Sequence, residues 1–379
     1  MKLDQHIKFS NIQWDIVLLI TLCPLYNAFW GGYGVFQLLL VPLLLLFAYY
    51  KVTERTRLPI NNYVKFYLVL FLQWALLSMI VGRNVLQDTK VLVLTLLVLI
   101  HPISTKTKSL IYPLLTIVGV AVGYAMIHNQ DMVAGVRLSL QIGDTLQDPN
   151  WIAIFLFAPF CCGLKLTQKK QVMLKIVGLA LVSFSTYVVF LTGSRGALLG
   201  LIAAMIVWLK VSLKKTHIVG ILLIMVVFFL VARFFYSFFV PNVDIDLLER
   251  YTTGEVGKDR ALIWSRLIPE YFNGNVVEIF LGRGPGSCLR DVGMSAHNMF
   301  LEQIFQTGLF GLTLLIIFLI QIFSDTIKNK NDIGLYIITA LFTLSLTTPI
   351  WGHIYFMIPL SMVAYVNNAL SLRTHQEHY

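Results

Sequence analysis

Apolar stretches long enough to cross a lipid bilayer recur along almost the whole chain, from Trp14 to Leu370. A transmembrane helix needs about 20 mainly apolar residues, and it pairs every backbone hydrogen-bonding group within its own segment. The stretches that meet this requirement are residues 14–30, 33–50, 63–81, 90–104, 110–127, 151–166, 176–193, 196–212, 218–236, 298–323, 333–349 and 353–371. The pattern predicts an all-α integral membrane protein, a polytopic bundle of about 12 transmembrane helices.

The composition agrees with this fold class. Charged residues make up 13% of the 379 residues and hydrophobic residues 57%, whereas soluble domains carry about 25% charged residues. The net charge of +10 would suit a nucleic-acid-binding protein, but the basic residues concentrate in short connections between the apolar stretches. Because no basic, aromatic-interleaved globular segment is visible in the sequence, we expect no nucleic-acid partner.

The positions of the basic residues predict the orientation. With a cytoplasmic N-terminus, 18 of the 29 Lys and Arg residues fall in the short inner connections, as the positive-inside rule requires. Most of the others lie in or beside the one long connection, and long loops cross the membrane largely regardless of their charge. We therefore predict a multi-pass protein with both termini in the cytoplasm.

Three parts follow from this orientation. Residues 1–236 hold transmembrane helices 1–9, residues 237–296 form one long extracytoplasmic loop, and residues 297–379 hold transmembrane helices 10–12 and a cytoplasmic tail. Within the loop, apolar residues follow Arg260 at helical spacing, and this pattern predicts an interfacial amphipathic helix on the membrane surface. These apolar residues are Trp264, Leu267, Ile268 and Tyr271.

Arginine is almost the only basic residue type on the predicted outer side, whereas the inner connections use mainly lysine. Lysine suffices as a topology charge, but the planar guanidinium group can grip a phosphate with two parallel hydrogen bonds. The outer arginines are Arg83, Arg137, Arg195, Arg233, Arg250, Arg260, Arg266, Arg283 and Arg290. They are therefore candidate contacts for a phosphate-bearing substrate.

Gly193-Ser194-Arg195-Gly196 joins two apolar stretches with almost no loop. The glycines permit a tight turn and a close approach of helices, and they leave Arg195 at the outer membrane boundary. The alternative interpretation is an arginine that only anchors the helix ends.

His297-Asn298 directly precedes an apolar stretch that contains Gly308 and Gly311. Because eleven residues advance about 20° beyond three helical turns, a continuous helix would place His297 and both glycines near one face. The glycines would let a neighbouring helix pack closely and fix the histidine. A neutral histidine there can accept a proton from an attacking hydroxyl; the alternative is a capping or interfacial histidine.

Two further motifs lie on the predicted outer side. Asp148-Pro149-Asn150 is typical of a helix start, with Asp148 or Asn150 as the cap, and the alternative places Asn150 in an outer cavity. The glycine-rich segment from Leu281 to Ser287 has backbone amides that could hold an anion, or it is a plain turn.

The remaining histidines and cysteines give no indication of a catalytic or metal site. No cluster of potential catalytic or metal-binding residues lies around His101, His217, His353, His375 or His378 in the sequence. Cys161-Cys162 has no His or carboxylate nearby in sequence, so we predict no metal site there. No outer carboxylate cluster suggests a Mg²⁺ site with oxygen ligands.

Together these residues resemble the family of O-antigen ligases and Wzy-type polymerases of O-antigen, capsule and exopolysaccharide. The resemblance covers residues from about 148 to 320 and departs from the family pattern at Asp259, where the family usually has glycine. It is carried by Asp148-Pro149-Asn150, Gly193 to Gly196 with Leu199, Asp259-Arg260 with Trp264, Gly282 to Gly286, and His297-Asn298 with Gly308 and Gly311.

The resemblance implies a metal-independent glycosyltransferase of the GT-C type in the bacterial cytoplasmic (inner) membrane, with no cofactor and an active site that faces the periplasm or exterior. The implied donor is an undecaprenyl-diphosphate-linked oligosaccharide, and the implied acceptor is a glycolipid. Arg195 and Arg260 would hold the diphosphate, and His297 would activate the acceptor hydroxyl. The other candidate substrate-binding residues are Arg137, Asn150, Arg266, Arg283 and Asn298.

The resemblance leaves more than one activity open. A polymerase would transfer the glycan to another lipid-linked repeat unit, with a chain-length regulator protein as a partner, and this is the favoured interpretation. A ligase would transfer the same glycan to lipid A-core. A transporter of lipid-linked glycans would also need a cationic cavity, but its charges would be spread through interrupted helices in both halves, whereas here they sit at one membrane face.

Overall fold

The computed structural model describes residues 12–27, 29–30, 33–34, 45, 48–49, 62–83, 85–101, 105–133, 137–142, 145–212 and 255–376. The predicted span at 218–236 and the first part of the long loop lie outside these residues, as does almost all of the predicted span at 33–50. The described helices are α1 (Trp14–Leu22), α2 (Asn62–Ile80), α3 (Val85–Leu99), α4 (Thr105–Asn129), α5 (Pro149–Ile152), α6 (Phe157–Thr167), α7 (Val172–Leu191), α8 (Arg195–Ser212), α9 (Glu255–Phe272), α10 (Val276–Leu281), α11 (Met299–Lys328), α12 (Asp332–Ser345) and α13 (Ile354–Gln376).

Short irregular elements connect these helices. A 3₁₀ turn at Ala153–Leu156 joins α5 to α6, another follows α1 at Cys23–Asn27, and a π-helical turn forms at Cys288–Val292. Three antiparallel hairpins of two-residue strands complete the described structure: β1 (Phe29–Trp30) with β2 (Tyr33–Gly34), β3 (Met132–Val133) with β4 (Arg137–Leu138), and β5 (Gln141–Ile142) with β6 (Thr145–Leu146).

Seven helical segments of the described chain are long and apolar enough to cross a membrane. They are Tyr63–Ile80, Thr107–Asn129, Pro149–Thr167, Val172–Leu191, Arg195–Ser212, Met299–Lys328 and Ile354–Ser371. Shorter apolar helices at Trp14–Leu25, Thr89–Leu99 and Asp332–Ser345 coincide with three more of the predicted stretches. The mainly helical, membrane-type fold is therefore confirmed, and the count of 12 spans stays a prediction.

Small residues set the closest helix crossings. A Cβ atom added at Gly200 of α8 would lie 2.8 Å from the Ala340 carbonyl oxygen of α12. A Cβ atom added at Gly163 of α6 or at Gly178 of α7 would likewise lie 2.7 Å from the carbonyl oxygen of the other glycine. Because lipid is as apolar as a helix surface, close van der Waals packing of this kind is what holds membrane helices together.

Among the described candidate spans, the one in α13 is the most buried, with 89% of it inside the protein. Buried polar side chains tie its cytoplasmic half, by the predicted orientation, to its neighbours. Asn367 donates to Thr326 Oγ1 of α11 at 2.7 Å and accepts from Asn331 Nδ2, before α12, at 2.8 Å. These bonds satisfy buried amides and fix the packing of α11, α12 and α13.

Helix α11 is kinked at Gly308, which has φ +65° and ψ −171°. A Cβ at Gly308 would lie 2.4 Å from the Phe280 carbonyl oxygen of α10 and 2.6 Å from the Gly282 nitrogen, so the start of the glycine-rich turn presses against the helix here. Two backbone amides of the turn donate hydrogen bonds to carbonyl oxygens of the helix: Arg283 N to Phe305 O at 3.2 Å and Gly284 N to Gln306 O at 2.8 Å. A chain segment that inserts into the backbone ladder is a recognised cause of a kink.

This kink corrects two expectations. The helix begins at Met299, so His297 lies outside it, and the non-helical backbone at Gly308 interrupts its regular rotation. The prediction that His297, Gly308 and Gly311 share one continuous helix face is therefore wrong. The turn's amides at Arg283 and Gly284 bind carbonyl oxygens of the protein, which favours the plain turn over an anion cradle.

The amphipathic helix of the loop is present as α9. Its residues Leu267 and Tyr271 are buried, but against Cys288, Ala296 and Phe305 of the following segment. This part of the apolar stripe therefore packs on protein, and it is not the surface that a membrane would contact. Where α9 stands relative to the membrane stays a prediction.

Candidate functional site

The turn that carries Arg195 is built by its own neighbours. Helix α7 ends at Leu191 and α8 begins at Arg195, so the connection is only Thr192, Gly193 and Ser194. Gly193 has φ +60°, where glycine is favoured. Ser194 Oγ accepts from the Ala197 amide at 3.3 Å and caps the helix. The predicted tight turn is confirmed, and it leaves Arg195 half-buried.

Arg137 and Asn150 lie at the same turn. Arg137 donates from Nε to the Thr192 carbonyl oxygen at 3.0 Å and from Nη2 to Asn150 Oδ1 at 3.1 Å. Asp148 accepts from the Asn150 amide at 2.7 Å, with Pro149 as the first helical residue, so the predicted helix start is confirmed. These bonds join β4, α5 and the connection between α7 and α8.

Arg260, on α9, stands close enough to Arg195 for their charges to interact. Burial, and then the positive charge of Arg195, lower the pKa of Arg260 below its ordinary value. Two guanidinium groups in one another's field repel each other unless an anion lies between them. A bound diphosphate would remove this repulsion, because each guanidinium can form paired, charge-assisted hydrogen bonds with phosphate oxygens.

His297 is exposed at a strained position between two anchored residues. Its φ is +49°, in the left-handed region that non-glycine residues adopt at a cost of about 1–3 kcal/mol. On one side, the Ala296 amide donates to Glu302 Oε2 at 2.8 Å, and the Ala296 carbonyl oxygen accepts from Trp264 Nε1 at 2.8 Å. On the other side, Asn298 caps α11. Strain of this kind persists only where the surroundings fix it, and it clusters at functional sites.

Two bridging contacts connect the segments that carry the three predicted catalytic residues. Trp264, which bonds to the residue before His297, lies one turn after Arg260 on the same face of α9. Asn298 donates to the Leu346 carbonyl oxygen at 3.0 Å, and the next residue, Thr347, packs against Gly196. The segment Leu346–Thr347 therefore links the His297 turn to the Arg195 turn.

Asn298 uses its side chain for structure. Its Oδ1 accepts from the amides of Phe300 at 2.9 Å and Leu301 at 3.1 Å, and its Nδ2 holds the Leu346 carbonyl oxygen. These contacts favour a helix cap that positions His297. Direct substrate binding by Asn298 stays a prediction that its contacts do not support.

Arg283 is surrounded by carboxylates. Its guanidinium lies 2.7 Å from Glu270, 3.1 Å from Glu278 and 3.6 Å from Asp291, and over the Phe305 ring at 5.0 Å. Burial alone would lower the pKa of Arg283, but the Glu270 hydrogen bond and the three negative charges raise it. This cluster favours a structural role, so substrate binding by Arg283 stays a prediction without support from its contacts.

Arg266 is placed apart from the other predicted site residues. It is exposed and lies about 240° around α9 from Arg260, because it follows six residues later. Its role in substrate binding also stays a prediction. Of the eight site residues predicted from the sequence, Arg137, Asn150, Arg195, Arg260, His297 and Asn298 lie on segments that the described contacts connect.

A second histidine, His353, lies beside this site and was not predicted from the sequence. The His353 ring packs on Trp151, the residue after Asn150, with ring centroids 4.1 Å apart, and meets Tyr355 edge-on at 4.7 Å. Burial lowers the pKa of His353 to about 3, so the imidazole is neutral at pH 7. Its position at the very start of the last apolar stretch, much as His297 stands at the start of an earlier one, was the available signal.

His101 also has a partner. Its Nε2 lies 2.5 Å from Asp15 Oδ2, and both side chains are buried, so the expectation that nothing surrounds His101 is wrong. The two residues are 86 positions apart. The carboxylate inside the first apolar stretch was the signal for this pair, since a buried charge in a membrane span needs a partner.

Comparison with known proteins finds a partial similarity. No protein-family model matches the chain. Over 191 residues the chain is 26% identical to the ComP-specific O-oligosaccharyltransferase of Acinetobacter baylyi. The match covers 46% of this chain and 34% of the relative, so the chain spans about a third of the relative's length.

Proposed function

We propose that this protein transfers a glycan from a lipid-diphosphate donor to an acceptor hydroxyl, at the outer face of the bacterial cytoplasmic membrane. The observation that carries the proposal is the pairing of Arg195 with Arg260 beside the anchored His297 turn. The similarity to an O-oligosaccharyltransferase supports the same class of reaction. Both termini would be cytoplasmic, and the donor would be an undecaprenyl-diphosphate-linked oligosaccharide.

In this mechanism Arg195 and Arg260 bind the diphosphate of the donor. The bond between the anomeric carbon and the phosphate oxygen breaks, and the lipid diphosphate leaves with the electron pair. Its negative charge grows in the transition state, where fixed guanidinium groups stabilise it most strongly. Their mutual repulsion in the free protein makes anion binding more favourable still.

His297 acts as the general base. Its imidazole accepts the proton of the acceptor hydroxyl while the hydroxyl oxygen forms the new bond to the anomeric carbon. The imidazolium then returns the proton to solvent. The strained turn keeps the imidazole in place, because Glu302, Trp264 and Asn298 fix the backbone on both sides of it.

For the acceptor, we propose another lipid-linked repeat unit, so that the protein is a polymerase of O-antigen, capsule or exopolysaccharide that works with a chain-length regulator. The similarity to an oligosaccharyltransferase fits a second candidate as well. This is a ligase that transfers the finished glycan to lipid A-core. Both activities use the same donor and the same site.

Deletion of the protein in its host separates these two candidates. Loss of a polymerase leaves single repeat units on the final acceptor. Loss of a ligase leaves the acceptor bare, while long lipid-linked glycans accumulate. A transporter would change the location of the lipid-linked glycan without forming a new glycosidic bond in a purified system.

The substitution His297→Ala tests the proposed reaction. With purified protein in nanodiscs and lipid-linked glycan extracted from a host strain that lacks the protein, we expect the transfer rate to fall about 100-fold or more. His128→Ala is the matched control, because His128 is an exposed histidine at the end of α4, beside Tyr124 and outside the site. Transfer by His297→Ala at the rate of His128→Ala would refute the proposed base.

A further inference from the structure

The aromatic pair of Trp151 and His353 has a geometry that goes beyond packing of the bundle. The two ring centroids lie 4.1 Å apart with an angle of 38° between the planes. Both residues are half-buried, so neither is sealed inside the bundle. We propose that this pair, named here the aromatic shelf, binds a sugar ring of the donor glycan. The inference rests on the proposed function and names the subsite for the carbohydrate.

The shelf is held rigidly from behind. Tyr355 is fully buried, meets the His353 ring edge-on at 4.7 Å, and donates its backbone amide to His353 Nδ1 at 3.4 Å. The Tyr355 hydroxyl lies 3.1 Å from the Pro24 carbonyl oxygen and 3.3 Å from Gln147 Oε1. The ring of Phe155 packs 4.8 Å from that of Tyr355. A preorganised surface of this kind loses little conformational entropy when a ligand binds.

The shelf stands next to the residues proposed to hold the diphosphate. Trp151 follows Asn150, whose side chain accepts from Arg137, and Arg137 also holds the carbonyl oxygen of Thr192 at the Arg195 turn. His353 ends the segment whose first residues, Leu346 and Thr347, contact Asn298 and Gly196. The first sugars of the donor are attached to the diphosphate, so they must lie within a few ångströms of it.

The chemistry of the shelf suits a carbohydrate better than a lipid headgroup or an acyl chain. One face of a pyranose ring presents C–H groups with partial positive charge, which pack well on the negative face of an aromatic ring. Neutral polar groups nearby, such as the Asn150 amide, suit the hydroxyl groups at the ring edge. His353 stays neutral at pH 7, so it acts as a flat ring here and not as a cation.

The backbone directly before His353 is not packed against the described residues. Gly352 has φ +74°, and a Cβ added there would have no described atom within 4 Å. None of the described residues therefore blocks an approach along this backbone, and a pyranose ring carried on a lipid diphosphate would reach the shelf from there.

Kinetics of the full-length protein in nanodiscs test the shelf. The donor is lipid-linked glycan from a host strain that lacks the protein, and undecaprenyl diphosphate without sugar serves as a competitive inhibitor. We expect Trp151→Leu to raise the donor KM about tenfold, with kcat and the inhibition constant of undecaprenyl diphosphate within about threefold of wild type. Trp151→Phe keeps an aromatic ring, so its donor KM, kcat and inhibition constant should all stay within about threefold of wild type.

Trp14→Leu is the matched control, because Trp14 is 41% exposed on α1 and lies far along the chain from the site residues. A donor KM unchanged in Trp151→Leu, a rise in the acceptor KM instead, or an equal rise in Trp14→Leu would overturn the shelf. An inhibition constant that rises in parallel with the donor KM would also overturn it, because the phosphate site would then be affected. If wild-type protein transfers glycan and Trp151→Leu matches it, only this inference fails; if His297→Ala transfers normally, the proposed function fails.

Discussion

A single methyl group at Gly196 should disconnect the two halves of the site. Gly196 follows Arg195 and packs against Thr347, whose neighbour Leu346 holds Asn298 through its carbonyl oxygen at 3.0 Å. In Gly196→Ala the new Cβ would lie 1.9 Å from Thr347 Oγ1, where an ordinary contact starts at 3.4 Å. Thr347 or its backbone must therefore move by about 1.5 Å, the difference between these two distances.

Rotation of the Thr347 side chain does not relieve the clash freely, because its hydroxyl donates to the Leu344 carbonyl oxygen at 3.0 Å. We expect the Leu346–Thr347 segment to shift and to carry Asn298 and the His297 turn with it. A displacement of about 1 Å of a positioned catalytic group can cost about 100-fold in rate. Overpacking of this size costs about 1–3 kcal/mol of stability.

The assay is the initial rate of glycan transfer in nanodiscs, with thermal unfolding measured on the same preparations. Thr347→Ala removes Oγ1 and with it the clash. The double variant Gly196→Ala/Thr347→Ala should therefore transfer glycan at least about tenfold faster than Gly196→Ala alone, and a double-mutant cycle measures this coupling. Gly200→Ala is the control for helix packing, since its Cβ would meet the Ala340 carbonyl oxygen at 2.8 Å one turn further from the site. Activity of Gly196→Ala within threefold of wild type, or a double variant with no recovery, would refute the reasoning.

Four further outcomes are expected. Arg195→Lys should lower transfer about 100-fold because an ammonium group does not reproduce a paired guanidinium grip; near-normal activity would favour the anchoring role. A chelator should leave transfer by the purified protein unchanged, and inhibition that Mg²⁺ reverses would contradict the metal-independent mechanism. Glu302→Ala should lower kcat about tenfold with the donor KM unchanged, because it frees the Ala296 amide that orients His297; a change confined to KM would contradict this. Burial lowers the pKa of His353 in the folded protein, so below a pH of about 6.5 the imidazole takes up a proton in the unfolded chain but stays neutral in the folded one. Wild type should therefore lose more thermal stability from pH 7 to pH 5 than His353→Gln. Equal losses would count against the burial of this imidazole.

The helices were largely predictable because their signal is local. Apolar length alone located the described spans and the shorter apolar helices, and Asp148-Pro149-Asn150 identified a helix start through capping chemistry that involves only adjacent residues. The kink of α11 was not predictable in this way. It depends on hydrogen bonds from Arg283 and Gly284, more than 20 positions earlier in the chain, to Phe305 and Gln306.

The candidate site shows the same limit. The tight turn at Arg195 follows from its own glycines, whereas the clamp of carboxylates around Arg283 comes from residues on three elements. Tertiary contacts that no spacing rule gives thus separate these arginines: Arg195 and Arg260 influence each other, whereas Arg283 lies among carboxylates. His353 and His101 were missed for this reason, since Trp151 and Asp15 lie far from them in the sequence.

The central claim is that Arg195 and Arg260 share one diphosphate in front of His297. Electron cryo-microscopy of the full-length protein in nanodiscs with undecaprenyl diphosphate tests it most directly. The account predicts phosphate oxygens within about 3 Å of guanidinium nitrogens of both arginines, with the His297 imidazole facing the end of the diphosphate that would carry the sugar. A diphosphate bound at another place, or held by neither arginine, would contradict the account.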